Sequence, residues 1–229
     1  MRTLTAVGHR GDPYRVRENT LDSIRSAFAR GADAVEIDVR LTRDRVPVVL
    51  HDETLQRLWG HDVRLDAVTA PQLKELARGR IPTLREALMA AGAGRVMVDL
   101  PGADSEAVRT VVDQVRECGA RDRTYYCAGP ESMLAVRAAD PGAEIALTWT
   151  TLSPPRRVLI DAVAPAWLNY RFGLVDRELT DALHRDGLLV SAWTADTKRS
   201  MRALIAAGVD SITTNRVDAL TAVRAERRR

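Results

Sequence analysis

The stretch AVEIDVRLTRDRVPVVLHDE (residues 34–53) carries the apolar content of two buried strands, yet Glu36, Asp38 and His51 sit inside it. Side chains alternate along a strand, so Val35, Ile37 and Val39 share one face and Glu36 and Asp38 the other. An ionised carboxylate among apolar neighbours is costly unless it is paired. Two on one face, near the end of a strand, repel each other unless a cation or proton lies between them. A hard divalent cation, Mg²⁺ or Ca²⁺, suits such an oxygen-only ligand set.

Working outward, β-rich runs at residues 4–8, 34–39, 46–50, 95–100, 124–127, 145–148, 162–168, 188–193 and 210–213 alternate with amphipathic stretches. The helical stretches are 19–30, 83–91, 105–118, 132–139, 176–186 and 198–207. This alternation predicts a mostly parallel sheet with helices outside, and eight such units predict a (β/α)₈ barrel of the TIM type, an α/β fold. It would be a single domain over residues 1–229, possibly distorted, with little or no inserted subdomain. A doubly wound open sheet is the rival, but no G-x-G-x-x-G follows a first strand. Nine strand candidates compete for eight places, and 162–168, with Pro165 inside it, is the weakest. The run 46–50 is read as a strand parallel to 34–39. The seven residues between Asp38 and Val46 reach about 23–25 Å, enough to retrace one strand. A hairpin there would carry His51 to the opposite end from Glu36 and Asp38.

Composition narrows the function. The chain has 229 residues, 45% hydrophobic, with a net charge of +3. The cations are nearly all arginine, lysine occurring only at Lys74 and Lys198, and no basic cluster is interleaved with aromatics as a nucleic-acid surface would be. The run RAERRR (residues 224–229) reads as the solvated end of a last helix. Cys118 and Cys127 show neither metal spacing nor a disulfide framework. No apolar run approaches the roughly 20 residues of a membrane span, and the start, MRTLTAVGHRG, lacks a signal-peptide core. The expectation is a cytoplasmic, reduced protein without a stable membrane anchor, its oligomeric state unread.

Further polar residues fall at predicted strand ends. Asp99 follows the apolar run 96–98, which would place a third acid at the same barrel mouth. His9 follows the first strand and His51 the third; imidazole titrates near neutrality, so one ring can accept a proton while the other donates one. Arg10 adds a planar cation matched to phosphate oxygens.

Taken as a set, GHRG (8–11), ENT (18–20), EIDVRLTRDRVPVVLHDETLQR (36–57), IPTLREAL (81–88), SAWTAD (191–196) and GVDSITTN (208–215) resemble the glycerophosphodiester phosphodiesterase family of barrel phosphodiesterases. The likeness covers the N-terminal third and about the last forty residues, and is weak between. It implies metal-dependent hydrolysis of a small-molecule phosphodiester to an alcohol and glycerol 3-phosphate. By it, His9 and His51 are the acid/base pair; Glu36, Asp38 and Asp99 hold one divalent cation, Mg²⁺ or Ca²⁺; Arg10 binds phosphate. Trp193 lines the substrate channel and Glu18 buttresses Arg10 or the metal site, while Asn19 and Thr20 cap the first helix. Two departures stand out: Asp99, Leu100 and Pro101 occupy the place of the family's Glu-x-Lys, and TTNR replaces its T-D-R-P. A short segment between His51 and Ile81 implies an open mouth. The alternatives are lysophospholipase-D-like cleavage, cleavage through a cyclic phosphate, a metal-dependent barrel enzyme of another chemistry, or a non-catalytic binding barrel. A Schiff-base aldolase would need a lysine at a strand end, where neither Lys74 nor Lys198 is expected.

Overall fold

The structure is a computed structural model that describes residues 4–227. The elements run β1 (Thr5–Gly8), α1 (Leu21–Ala29), β2 (Ala34–Leu41), β3 (Pro47–Val49), α2 (Gln56–Trp59), α3 (Ala70–Leu76), α4 (Leu84–Ala91), β4 (Arg95–Asp99) and α5 (Ser105–Glu117). They continue with β5 (Thr124–Ala128), α6 (Pro130–Ala139), β6 (Glu144–Trp149), α7 (Arg157–Val163), β7 (Trp167–Arg171), α8 (Arg177–Arg185), β8 (Leu189–Trp193), α9 (Lys198–Ala207), β9 (Ser211–Thr214) and α10 (Val217–Arg227). Strands β1, β2 and β4 to β9 pair in parallel around a closed circuit, sealed where β1 pairs with both β9 and β2. This is the (β/α)₈ barrel expected from the alternation of strands and helices.

The two-residue period of each strand separates two environments. Outward-facing Val35, Ile37, Val96, Val98, Ile145, Leu168, Val190 and Ile212 join the helices in one large core. Inward-facing Val7, Ala34, Met97, Tyr125, Cys127, Ala146 and Trp167 fill the barrel axis. Above this plug the inward positions turn polar, and the site lies there, at the C-terminal ends of the strands. Among the described residues no helix is long and apolar enough to cross a membrane.

Two strand readings need correction. Strand seven is Trp167–Arg171, and most of the expected run 162–168 belongs instead to the end of α7 and the turn after it. More important, β3 is not a barrel strand. It pairs antiparallel with β2, Val39 opposite Val49 and Leu41 opposite Pro47. The expectation that a hairpin would misplace His51 fails because β2 outruns the barrel. Ala34 to Asp38 pair with β4, while Val39 to Leu41 project past the rim and pair with β3. The chain therefore climbs above the mouth, turns, and returns to the rim, where the Leu50 N–H donates to the Asp38 carbonyl at 3.0 Å. Residues between β3 and α4 gather around a small apolar cluster of their own, including Leu50, Leu55, Leu65, Leu73 and Ile81.

The loop from β1 to α1 carries Arg10 and must turn sharply beneath it. Arg10 takes φ +55 and Gly11 φ +86, both left-handed. A Cβ on Gly11 would fall against the Ser23 backbone and hydroxyl. Ser23 in turn donates from its Oγ to the Arg10 carbonyl at 2.9 Å, and Thr20 caps α1 by accepting from the Ser23 N–H. Gly11→Ala should destabilise the fold by about 1–3 kcal/mol, since both the backbone angle and the space oppose it. A shift of the urea midpoint measures this; an unchanged midpoint would contradict the packed turn.

Candidate active site

Each acid owes its position to strand register. Asp38 on β2 lies beside Asp99 on β4, and Glu36 is one inward position lower, beside Met97. Oxygen atoms of Glu36, Asp38 and Asp99 all lie within 4.8 Å of one another. Glu36 and Asp38 are 3% and 1% exposed, so water does little to screen them. Burial first, then repulsion from Asp38 and Asp99, pushes the Glu36 carboxyl well above its ordinary range. Burial and then the charge of Asp38 push Asp99 up to about 7.

Arg10 is the fixed cation of this cluster. Its backbone N–H donates to Glu36 Oε2 at 2.8 Å and its Nη1 to Glu18 Oε1 at 2.8 Å. Its Nε lies 3.2 Å from Asp38 Oδ2 without hydrogen-bond alignment. Burial opposes its charge, but the fields of Asp38, Glu18 and Glu36 outweigh it and hold its pKa above the ordinary value. Asn19, held at φ +55, donates from Nδ2 to the same Asp38 oxygen at 2.7 Å. One guanidinium against three carboxylates leaves a formal deficit that a divalent cation would balance. The all-oxygen donor set suits a hard ion.

The two histidines are held in defined orientations. His9 Nδ1 lies 2.8 Å from Asn215 Oδ1. The Asn215 side chain donates from Nδ2 to Asp196 Oδ2 at 2.7 Å, so its oxygen must face His9 and accept from Nδ1–H. The unprotonated Nε2 then faces the acids, 3.9 Å from Glu36 Oε2. Burial first, then the neighbouring Arg10, holds the His9 pKa below its ordinary value and favours the neutral ring. His51 Nδ1 lies 2.7 Å from Asp52 Oδ1, a carboxylate that can only accept, so Nε2 is left for the cavity. The Arg40 Nε donates to the His51 carbonyl at 2.7 Å and ties it to the projecting end of β2.

These groups line one cavity of about 250 Å³. His9, Arg10, Glu36, Asp38, His51, Asp99 and Trp193 all border it, so seven of the eight residues singled out in the sequence come together there. The eighth, Glu18, stands behind Arg10. Pro101, where the resemblance led one to expect lysine, also borders the cavity, which leaves Arg10 as the one fixed cation among its described lining residues. Asn19 was misassigned: Thr20 alone caps α1, and Asn19 serves Asp38. Sequence reading also missed Asp52, Arg57, Asp196 and Asn215. All four lay within quoted motifs but had no recognised partner. Cys127, Thr148, Asn169 and Thr213 are among the other residues of the wall.

A family model described as the glycerophosphoryl diester phosphodiesterase family matches residues 9–219. The chain belongs to this family of phosphoric diester hydrolases. The glycerophosphodiester phosphodiesterase of Caldanaerobacter subterraneus is 29% identical over 236 residues, covering 94% of this chain and 95% of that one. A crystal structure of a glycerophosphodiester phosphodiesterase from Parabacteroides distasonis superposes with a TM-score of 0.85 at 25% identity, covering 100% of this chain and 99% of the other. An Oleispira antarctica phosphodiesterase, solved in complex with the product sn-glycerol-3-phosphate, superposes with a TM-score of 0.89 at 21% identity over 96% of both chains. At that identity the last likeness is one of fold.

The raised acids give the family member a pH signature. A carboxyl held near 7 in the folded protein must lose its proton before it ligates a cation. Divalent-cation affinity should therefore climb between about pH 5 and 8, with proton release at the lower end. Calorimetry in buffers of different ionisation enthalpy reads both. Affinity flat across that window, with no protons released, would contradict the cluster as the binding site.

Proposed function

We propose that this protein hydrolyses glycerophosphodiesters to an alcohol and glycerol 3-phosphate, with His9 as general base and His51 as general acid. The observation that carries the reading is the convergence of two imidazoles, each held through Nδ1, three acids and one arginine on a single cavity at the barrel mouth, in a chain of this family. Glu36, Asp38 and Asp99 would hold one Mg²⁺ or Ca²⁺ ion, and its three carboxylates fit such an ion. When bound, the cation supplies charge neutralisation at a non-bridging phosphate oxygen.

The chain's own residues do the rest. Arg10 pairs with phosphate oxygens, and Glu18 keeps its guanidinium in place. His9 presents an unprotonated Nε2 because Asn215 occupies Nδ1, and it takes a proton from the attacking water, or from a neighbouring hydroxyl of the substrate in a first step whose cyclic phosphate is then opened by water. His51, its Nδ1 held by Asp52, turns Nε2 to the cavity and as the general acid gives a proton from there to the leaving alkoxide. A new P–O bond forms as the P–O bond to the alcohol breaks, and solvent returns the proton from His9 to His51. Trp193 forms one wall of the channel. Lys74 and Lys198 lie on α3 and α9, which disfavours Schiff-base chemistry.

His9→Ala and His51→Ala should each lower kcat by about 10²–10⁴-fold without loss of the folded state. A coupled assay for glycerol 3-phosphate released from glycerophosphocholine and glycerophosphoethanolamine, with and without chelator, reads this. Full turnover in either variant would remove its role, and turnover indifferent to chelator would remove the cation.

A further inference from the structure

Arg57 has no task in that mechanism, yet it is the most heavily engaged side chain near the mouth. It sits on α2, with its side chain 47% exposed. One edge of its guanidinium grips Asp52, Nε to Oδ2 at 2.6 Å and Nη2 to Oδ1 at 2.9 Å. The other edge grips Glu18, Nη2 to Oε1 at 2.6 Å and Nη1 to Oε2 at 3.2 Å. Asp52 Oδ1 holds His51 Nδ1, and Glu18 Oε1 holds Arg10 Nη1. A continuous run of contacts, His51–Asp52–Arg57–Glu18–Arg10, thus joins the loop after β3 to the loop after β1.

We propose that Arg57 is a positioning residue that locks the proton-donating His51 and the phosphate-binding Arg10 into one rigid unit across the mouth. This rests on the assignment of His51 as the general acid. The planar fork is what suits the task. Its two edges engage two carboxylates at once, whereas a lysine is a point charge with no fixed fork. Without the fork, Asp52 is free to turn from His51, and the ring then loses the contact that aims Nε2–H at the leaving oxygen. Glu18 likewise loses its brace, and Arg10 with it. Groups that orient an acting residue in this way commonly matter by about 10–100-fold although they touch no substrate.

The test compares leaving groups. An alkoxide needs the acid's proton, whereas p-nitrophenolate departs without it. For Arg57→Met, kcat on glycerophosphocholine should fall about 10–100-fold, while kcat on the p-nitrophenyl ester of glycerol 3-phosphate should fall by less than about 3-fold. KM should rise for both substrates through Arg10. Arg57→Lys should stay impaired on the choline ester. Equal losses on the two substrates would mean general damage, and no loss, or full rescue by lysine, would mean that the fork is not required; each overturns the proposal. His51→Ala is run alongside. If it loses both substrates equally, the acid assignment itself has failed, and the role of Arg57 falls with it; if it is leaving-group dependent and Arg57→Met is not, the proposal alone is wrong.

Discussion

Three carboxylates within 4.8 Å of each other, two of them, Glu36 and Asp38, buried, are a standing repulsion that the barrel has to carry. Removing such charges from water is costly, and their proximity adds to the cost. The protein moderates it with Arg10, whose backbone and side chain both point at the cluster, and with the Asn19 amide. What remains is an oxygen-lined seat with excess negative charge, beside two histidines whose outer nitrogens are already engaged. The strained left-handed turn at Arg10 and Gly11 belongs to the same arrangement, because it is what aims the Arg10 N–H at Glu36.

The barrel supplies the rigidity that this repulsion demands. Register between β2 and β4 sets Asp38 beside Asp99, and the apolar plug below keeps the carboxylates from sinking further into the core. The overrun of β2 past the rim supplies something else. It lets a single hairpin bring His51 back to the cluster with its carbonyl tied to Arg40, so both histidines face the acids from loops of short reach. In the proposed chemistry, Pro101 in the wall leaves phosphate recognition to Arg10 and the seat, which makes the bracing of Arg10 by Glu18 more consequential than it would be beside a second cation.

Much of this was legible because it depends on periodicity. Alternation in β2 separates Val35, Ile37 and Val39 from Glu36 and Asp38 without any knowledge of the neighbouring strands. Strand direction is not encoded that way: the apolar run before His51 reads identically whether parallel or antiparallel. The turn before it, Arg43–Asp44–Arg45, has none of the Asn-Gly or Gly-rich signals of a tight hairpin, and Arg45 takes φ +65 there despite its side chain. Strand seven was displaced because α7 is only seven residues long and its apolar residues merge with those of the strand. Asn215 was invisible for another reason: it acts on His9 from 206 residues away, from a loop with no period to read.

Anomalous diffraction from a crystal soaked in Mn²⁺, which favours oxygen ligands as Mg²⁺ and Ca²⁺ do, addresses the seat most directly. One strong peak bonded by Glu36, Asp38 and Asp99 beneath the two histidines is expected. A peak elsewhere, or none at that position with the three carboxylates unchanged, would contradict the cluster as a cation seat and with it the chemistry assigned to this mouth.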